Sequence, residues 1–133
     1  MRITYLIIII SSLLCFSCTT QKSTKNTNQV NKLTFTPNDE GEYDIIVFDP
    51  QYDTFLKTIA LPKSFYSESF YKSKNRIYVT IWNQRYYNPL SYNPTIYEVA
   101  IELDPDINYG LDFEYKLYNF FKFMEWKNKI RFI

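Results

Sequence analysis

The 133-residue sequence contains no histidine, two cysteines and two glycines. Without histidine, the chain lacks the commonest general base of enzymes and the commonest metal ligand of proteins. The two glycines stand far apart, which excludes the glycine-rich turns that bind phosphate groups. The formal net charge is only +1, so no excess of basic residues indicates a nucleic-acid partner. We therefore expect no cofactor, no metal and no nucleic acid.

Aromatic residues are abundant instead. They make up 20% of the chain, with 13 tyrosines and 11 phenylalanines. Each buried aromatic ring removes about 150–250 Å² from water. The length of the chain suits one domain, and we expect ring packing to stabilise that domain without a disulfide bond.

The N-terminal residues resemble a bacterial lipoprotein signal. Arg2 precedes an apolar stretch that ends at Leu14, which is shorter than the roughly 20 residues needed to cross a bilayer. The following sequence LCFSC ends at Cys18 and resembles the lipobox, in which a small residue precedes the cysteine that becomes lipidated. We predict a signal peptide over residues 1–17 and lipidation of Cys18. The alternatives are an uncleaved N-terminal helix and an ordinary signal peptide.

The next segment is almost wholly polar and rich in threonine, asparagine, glutamine and lysine. Such a composition buries too little apolar area to offset the entropy of ordering the chain. We therefore assign residues 18–38 to the lipidated cysteine and a flexible tether, and residues 39–133 to a single domain.

Three segments of this domain have the apolar patterns of strands. A continuous apolar run predicts a strand at Tyr43–Asp49 that is buried on both faces. Alternation over Thr95–Leu103 predicts a half-buried strand, and the short alternating segment Lys129–Ile133 predicts a closing strand.

Between these predicted strands lie segments whose apolar residues have helical spacing. Asp49 and Pro50 predict the start of a short helix that stops before Pro62. A long helix is expected over residues 67–87 and a third over residues 109–127. The order β-α-α-β-α-β defines an α+β domain, with a small mixed sheet of about three strands packed by aromatic-rich helices.

Three groups of short segments carry a family resemblance: YDIIVFDP from Tyr43 with DTFL from Asp53; Asn75-Arg76 with Tyr78-Val79 and Trp82-Asn83; and NYGL from Asn108 with Leu117-Tyr118-Asn119. They are similar to an uncharacterised family of small bacterial (Bacteroidota-type) lipoproteins. The resemblance covers residues 43–127 and implies a bacterial source and a location in the cell envelope. It implies no activity, ligand or catalytic residue.

Four residues of the long predicted helix are candidate contacts for a ligand or partner. Asn75, Tyr78, Trp82 and Arg85 advance by three or four positions and so share one side of that helix. Their amide, aromatic and guanidinium groups suit a glycan or a peptide. In the alternative interpretation, Tyr78 and Trp82 pack in the core, with Asn75 and Arg85 at the edges of the apolar face.

We expect a non-catalytic, lipid-anchored interaction module of the cell envelope, which contacts another protein or an envelope polymer through an exposed aromatic patch. The alternative is a glycan-binding or small-ligand-binding module, which requires a concave pocket lined by rings and a few polar groups. A carboxylate-dependent hydrolase is a third hypothesis. It requires two acids in one cleft, at least one of which has a raised pKa.

The acyl chains on Cys18 are expected to attach the protein to a membrane. No acidic residue follows this cysteine directly, and acidic residues there resemble export or retention signals in some bacteria. We therefore expect the periplasmic face of the outer membrane, with the cell surface as the alternative.

Overall fold

The structure is a computed structural model that describes residues 33–37 and 43–133. Its elements are strands β1 (Leu33–Pro37) and β2 (Tyr43–Val47), helix α1 (Pro50–Thr58), a short 3-10 helix (Lys63–Phe65), helix α2 (Glu68–Tyr86) and helix α3 (Gly110–Asn128). The chain therefore has an α+β fold with three helices. The predicted signal peptide and Cys18 lie outside the described residues, and β1 falls within the segment assigned to the tether.

The two strands form an antiparallel pair in which Phe35 is opposite Ile45. Ile45 is buried against the helices, whereas Ile46 is 45% exposed on the other face. Strand β2 is therefore half-buried, and the prediction that it is buried on both faces is wrong. An ion pair also joins β2 to α3, since Lys116 Nζ lies 2.6 Å from Asp44 Oδ1.

Local capping interactions explain where the first two helices begin. The Asp49 side chain accepts a hydrogen bond from the Gln51 backbone N–H at 3.1 Å, and Pro50 opens α1. The Ser67 hydroxyl accepts a hydrogen bond from the Phe70 backbone N–H at 3.2 Å and so caps α2. The predicted starts of both helices are confirmed.

Helix α3 lies at the centre of the domain, where it contacts β2, α1 and α2. Its inward side chains supply six of the fourteen buried residues of one continuous core. Phe113, Leu117, Phe120, Phe121 and Phe123 of this helix are all 0% exposed. The rings of the core meet mainly edge to face, the geometry that aromatic pairs prefer.

Residues 95–103 were expected to form a strand, and in the structure they do not. Side chains of α2 bond the backbone of this segment in place of a neighbouring strand. The Trp82 indole donates to the Val99 carbonyl at 2.7 Å. The Asn83 amide donates to the Ile101 carbonyl and accepts from the Ile101 N–H, each at 2.8 Å. Because these groups are already paired, the segment packs on the core without entering the sheet.

The predicted closing strand at residues 129–133 is also absent. The Phe132 N–H donates to the Glu125 carboxylate at 2.9 Å, and the Arg85 guanidinium donates to the Arg131 carbonyl at 2.7 Å. Phe132 itself is buried. The sheet of the described residues consequently has two strands, and the expected third strand is not found.

Within residues 33–37 and 43–133, no helix combines the length and apolar character needed to cross a membrane.

Candidate functional site

The structure places the four predicted contact residues together on one side of α2, but this side faces the core. Asn75, Tyr78 and Trp82 are 0%, 3% and 1% exposed, and Arg85 is partly buried. Side chains buried to this extent do not offer a contact surface to a partner. The alternative interpretation, in which Tyr78 and Trp82 pack in the core, describes these two residues, whereas Asn75 was expected at the edge of the face and is fully buried.

Arg85 holds two neighbouring segments against the end of α2. Its guanidinium donates to the Tyr97 hydroxyl at 2.8 Å and to the Arg131 carbonyl at 2.7 Å. It also lies 5.0 Å from the centre of the Phe132 ring and 5.3 Å from that of Tyr92. These contacts are typical of a charged group that stabilises aromatic packing.

Asn75 orients a buried acid that sequence reasoning missed. Its amide nitrogen donates to the Glu114 backbone carbonyl at 2.8 Å and to Glu114 Oε2 at 2.7 Å. Burial raises the pKa of the Glu114 carboxyl, and the hydrogen bond from Asn75 opposes this effect. The sequence did contain a sign of this burial, because Glu114 directly follows Phe113 and lies three residues before Leu117, both on the apolar side of the helix. This position places a carboxyl group beside the apolar face of α3.

A first cavity, here named the aromatic groove, lies between the end of α1, the segment that follows it, α3 and the C-terminal residues. Its volume is about 500 Å³, within the range of small-molecule sites. The rings that line it are Phe55, Tyr66, Tyr71, Tyr118 and Trp126. Its exposed apolar edge is formed by Ile59, Leu61 and Trp126, which are 48%, 46% and 41% exposed.

A charged pair stands at one side of the aromatic groove. Lys122 pairs with Glu125, whose other carboxylate oxygen accepts from the Phe132 N–H. Burial alone would lower the pKa of the Lys122 ammonium, but the Glu125 hydrogen bond and the nearby Tyr78 ring raise it above its usual value. Lys122 therefore carries its positive charge at neutral pH.

Tyr118 adds an uncharged polar group to the aromatic groove. Burial raises the pKa of its phenol, an effect that Lys122 partly opposes. The hydroxyl is therefore protonated at neutral pH and can both donate and accept a hydrogen bond. The aromatic groove thus combines apolar rings with tyrosine hydroxyls, the Lys122–Glu125 pair and the side chain of Arg131.

A second cavity, here named the charged groove, lies between α2, residues 101–109 and α3, with a volume of about 670 Å³. Its charged lining residues are Lys72, Arg76, Glu102, Asp104 and Glu114. In the part of the chain that the structure describes, no three acidic or cysteine side chains converge closely enough to hold a metal ion.

The fold and the two grooves define a small aromatic-rich α+β domain with concave, solvent-facing sites. A family model described as a family of unknown function (DUF6146) matches residues 5–133, and the chain belongs to this family. The match extends beyond residues 43–127, which carried the resemblance seen in the sequence. No curated protein and no solved structure matches the chain.

Proposed function

We propose that this protein is a lipid-anchored, non-catalytic binding module of the bacterial cell envelope. The observation that carries the proposal is the aromatic groove, in which several rings surround a cavity of about 500 Å³ with a cation at its side. This is the concave, ring-lined arrangement expected of a small-ligand site. The ligand that fits best is a small amphipathic molecule with an apolar body and an anionic group.

The exposed edge of the aromatic groove supports this assignment. Leu61 and Ile59 are almost half exposed although both are large and apolar. A ligand that covered about 100 Å² of this apolar surface would gain roughly 2.5 kcal/mol from its removal from water. Lys122, although paired with Glu125, and Arg131, which also lines the groove, would attract the anionic end of the same ligand.

The groove can be tested with 8-anilino-1-naphthalenesulfonate, which has apolar rings and an anionic sulfonate and fluoresces when bound. Leu61→Asp should weaken its binding about tenfold, because a carboxylate then repels the sulfonate and the apolar edge is lost. Leu90→Asp is the matched control, since Leu90 is 100% exposed and lines neither groove. Circular dichroism checks that both variants fold. Equal binding to both would refute the proposed site.

Glycans are the alternative ligands for the same groove. The ring of Trp126 is 41% exposed and could stack on a sugar. In this case a neutral oligosaccharide, and not the sulfonate probe, would quench or shift Trp126 fluorescence. Trp82, the other tryptophan, is 1% exposed and provides a constant background.

The membrane anchor rests on the lipobox-like sequence that ends at Cys18 and on the polar segment that follows it. We propose that acyl chains on Cys18 attach the domain to the outer membrane on its periplasmic face, with the cell surface as the alternative. Cys18→Ala should move the protein from the membrane fraction to the soluble fraction. If the native chain has no acyl groups by intact-mass measurement, the anchor is wrong.

A carboxylate-dependent hydrolase is the second candidate, and the charged groove is the observation that favours it. Glu102, Asp104 and Glu114 line this groove, and burial raises the pKa of Glu114, as a general acid requires. However, one oxygen of Glu114 is already bound by Asn75, and the side chain is almost fully buried. Turnover of p-nitrophenyl glycosides that disappears in Glu114→Gln would support the hydrolase.

A further inference from the structure

An exposed loop without charged residues follows α2. Residues 87–95, here named the tyrosine loop, are all exposed, and the sequence between Arg85 and Glu98 contains no acidic or basic residue. Charged residues usually make up about 25–35% of a protein surface that faces water. In their place the tyrosine loop presents large side chains with apolar surface. These are Tyr87, Leu90 and Tyr92, which are 70%, 100% and 36% exposed.

Contacts within the tyrosine loop and with α2 fix its backbone. The Ser91 and Tyr92 N–H groups both donate to the Asn88 carbonyl at 3.1 Å. The Tyr92 ring centre also lies 5.3 Å from the guanidinium carbon of Arg85. Backbone groups that are already hydrogen-bonded leave water at a lower cost than free ones. The loop can therefore carry Leu90 into a medium that is less polar than water.

The tyrosine loop lies at the end of the domain where α3 ends. Asn75 of α2 bonds Glu114 of α3. The same number of residues further along each helix, Trp82 packs on Phe121 with ring centres 6.0 Å apart. The two helices therefore run in the same direction, and the loop that follows α2 emerges beside the last turn of α3.

The first strand enters the domain at this same end. Leu33, the first residue of β1, is paired with Val47. Shortly after Val47, Asp49 forms an ion pair with Lys127 in the last turn of α3. The chain between Cys18 and Leu33 can span at most roughly 50 Å. A chain anchored at Cys18 would therefore hold the domain by the end that carries the tyrosine loop.

Basic residues lie around this end of α3. Lys127, Lys129 and Arg131 lie in its last turn or just after it. The acids Asp49 and Glu125 nearby are each paired with a lysine. Cations close to a bilayer attract anionic headgroups, and tyrosine rings favour the headgroup level. An uncharged tip beside a basic rim therefore matches the apolar and anionic layers of a membrane surface.

We propose that the tyrosine loop inserts into the interface of the bilayer to which the protein is anchored. Leu90 reaches the acyl chains, and Tyr87 and Tyr92 lie among the headgroups. This inference rests on the lipid anchor proposed above and does not involve the aromatic groove. The loop is then a second membrane attachment, which gives the anchored domain one orientation. A protein partner fits less well, because an interface buries roughly 800 Å² on each side and the apolar tip is a single leucine between two tyrosines.

Quenching by brominated lipids tests the proposal on the full chain, purified from membranes and reconstituted into vesicles that contain an anionic lipid. Bromine atoms on the acyl chains quench a tryptophan that reaches them. Leu90→Trp should lose much of its added emission in these vesicles. The unsubstituted chain supplies the baseline from Trp82 and Trp126.

Phe65→Trp is the matched control and should keep its added emission. Phe65 is also large, apolar and 58% exposed. It lies at the opposite end of the domain, since its neighbour Lys63 pairs with Asp112 in the first turn of α3. Equal quenching at the two positions in a chain that floats with the vesicles would overturn the insertion and leave the anchor intact. A chain that does not float with the vesicles would overturn both, because so small a loop does not hold a domain on a bilayer alone.

An added charge provides a second test. Ser91→Asp, introduced together with Leu90→Trp, should restore most of the emission, because a carboxylate at the tip must be desolvated and is repelled by anionic lipid. Ser64→Asp, an exposed position at the opposite end, should not restore it. Circular dichroism checks that the variants fold. Quenching that persists with Ser91→Asp would contradict insertion of the tip.

Discussion

Replacing Arg85 with methionine should lower the free energy of unfolding by about 2–3 kcal/mol. The change keeps an apolar stem of similar length and removes the guanidinium. Two hydrogen bonds are lost, to the Tyr97 hydroxyl at 2.8 Å and to the Arg131 carbonyl at 2.7 Å. The Arg131 carbonyl is exposed and can bond to water instead, so the loss of this hydrogen bond costs stability at the low end of the range usual for hydrogen bonds.

Loss of the cation from the surrounding rings adds to this effect. The guanidinium lies 5.0 Å from the Phe132 ring centre and 5.7 Å from that of Tyr97. Such contacts contribute about 0.5–1 kcal/mol at partly exposed sites. The buried position of Tyr97 increases the penalty of leaving its hydroxyl without this donor.

Equilibrium unfolding in urea, followed by circular dichroism, measures the difference. Arg76→Met is the matched control, because Arg76 lies on the same helix, is exposed and has no hydrogen bond from its side chain within the described residues. Its effect should stay within about 0.5 kcal/mol. If the two variants were equally stable, Arg85 would not hold the C-terminal segment as argued.

Two further predictions concern α2 and α3. Asn83→Ala should destabilise the fold by about 1–3 kcal/mol, because the Ile101 N–H and carbonyl lose their hydrogen-bond partners. Urea unfolding measures this change, with Gln84→Ala at the neighbouring exposed position as the control. Burial raises the pKa of Glu114 above its ordinary 4.5. At a pH between the ordinary and the raised pKa, the folded state retains a proton that the unfolded state releases. The stability of the fold therefore falls as the pH rises through this range. The stability of Glu114→Gln relative to the native chain should therefore increase as the pH rises from about 4 to about 8. A constant difference across this range would contradict the assignment.

The helices could be predicted from the sequence because their signals are local. Asp49 followed by Pro50 marks the start of α1, and Ser67 marks the start of α2, each through a hydrogen bond to a residue two or three positions away. Helical spacing identified α3 as well, and the predicted range 109–127 differs from the observed helix by one residue at each end.

The absence of a strand at residues 95–103 could not be predicted from the alternation of apolar residues alone. Alternating apolar residues at 95–103 correctly indicate which side chains face the core, including the buried Tyr97 and Ile101. They do not indicate which groups bond the backbone. Here the partners are the side chains of Trp82 and Asn83. No periodic pattern in the sequence predicts such a hydrogen bond between a side chain and a distant backbone.

Helical spacing likewise did not separate a binding face from a packing face. Tyr78 and Trp82 share a side of α2 in either case, and only the position of α3 shows that this side is buried. The aromatic groove was beyond prediction for a related reason. Leu61, which follows α1, lines it together with Trp126 and Arg131, although Leu61 is distant in sequence from the other two.

The anchoring of Phe132 has a practical consequence for handling the protein. Its ring fills the interior, while its neighbours Arg131 and Ile133 form part of the wall of the aromatic groove. Removing the residues from Phe132 onward would delete a core side chain and part of the groove wall in one step. Loss of stability and loss of the groove would then coincide, so such a truncation could not separate the two effects.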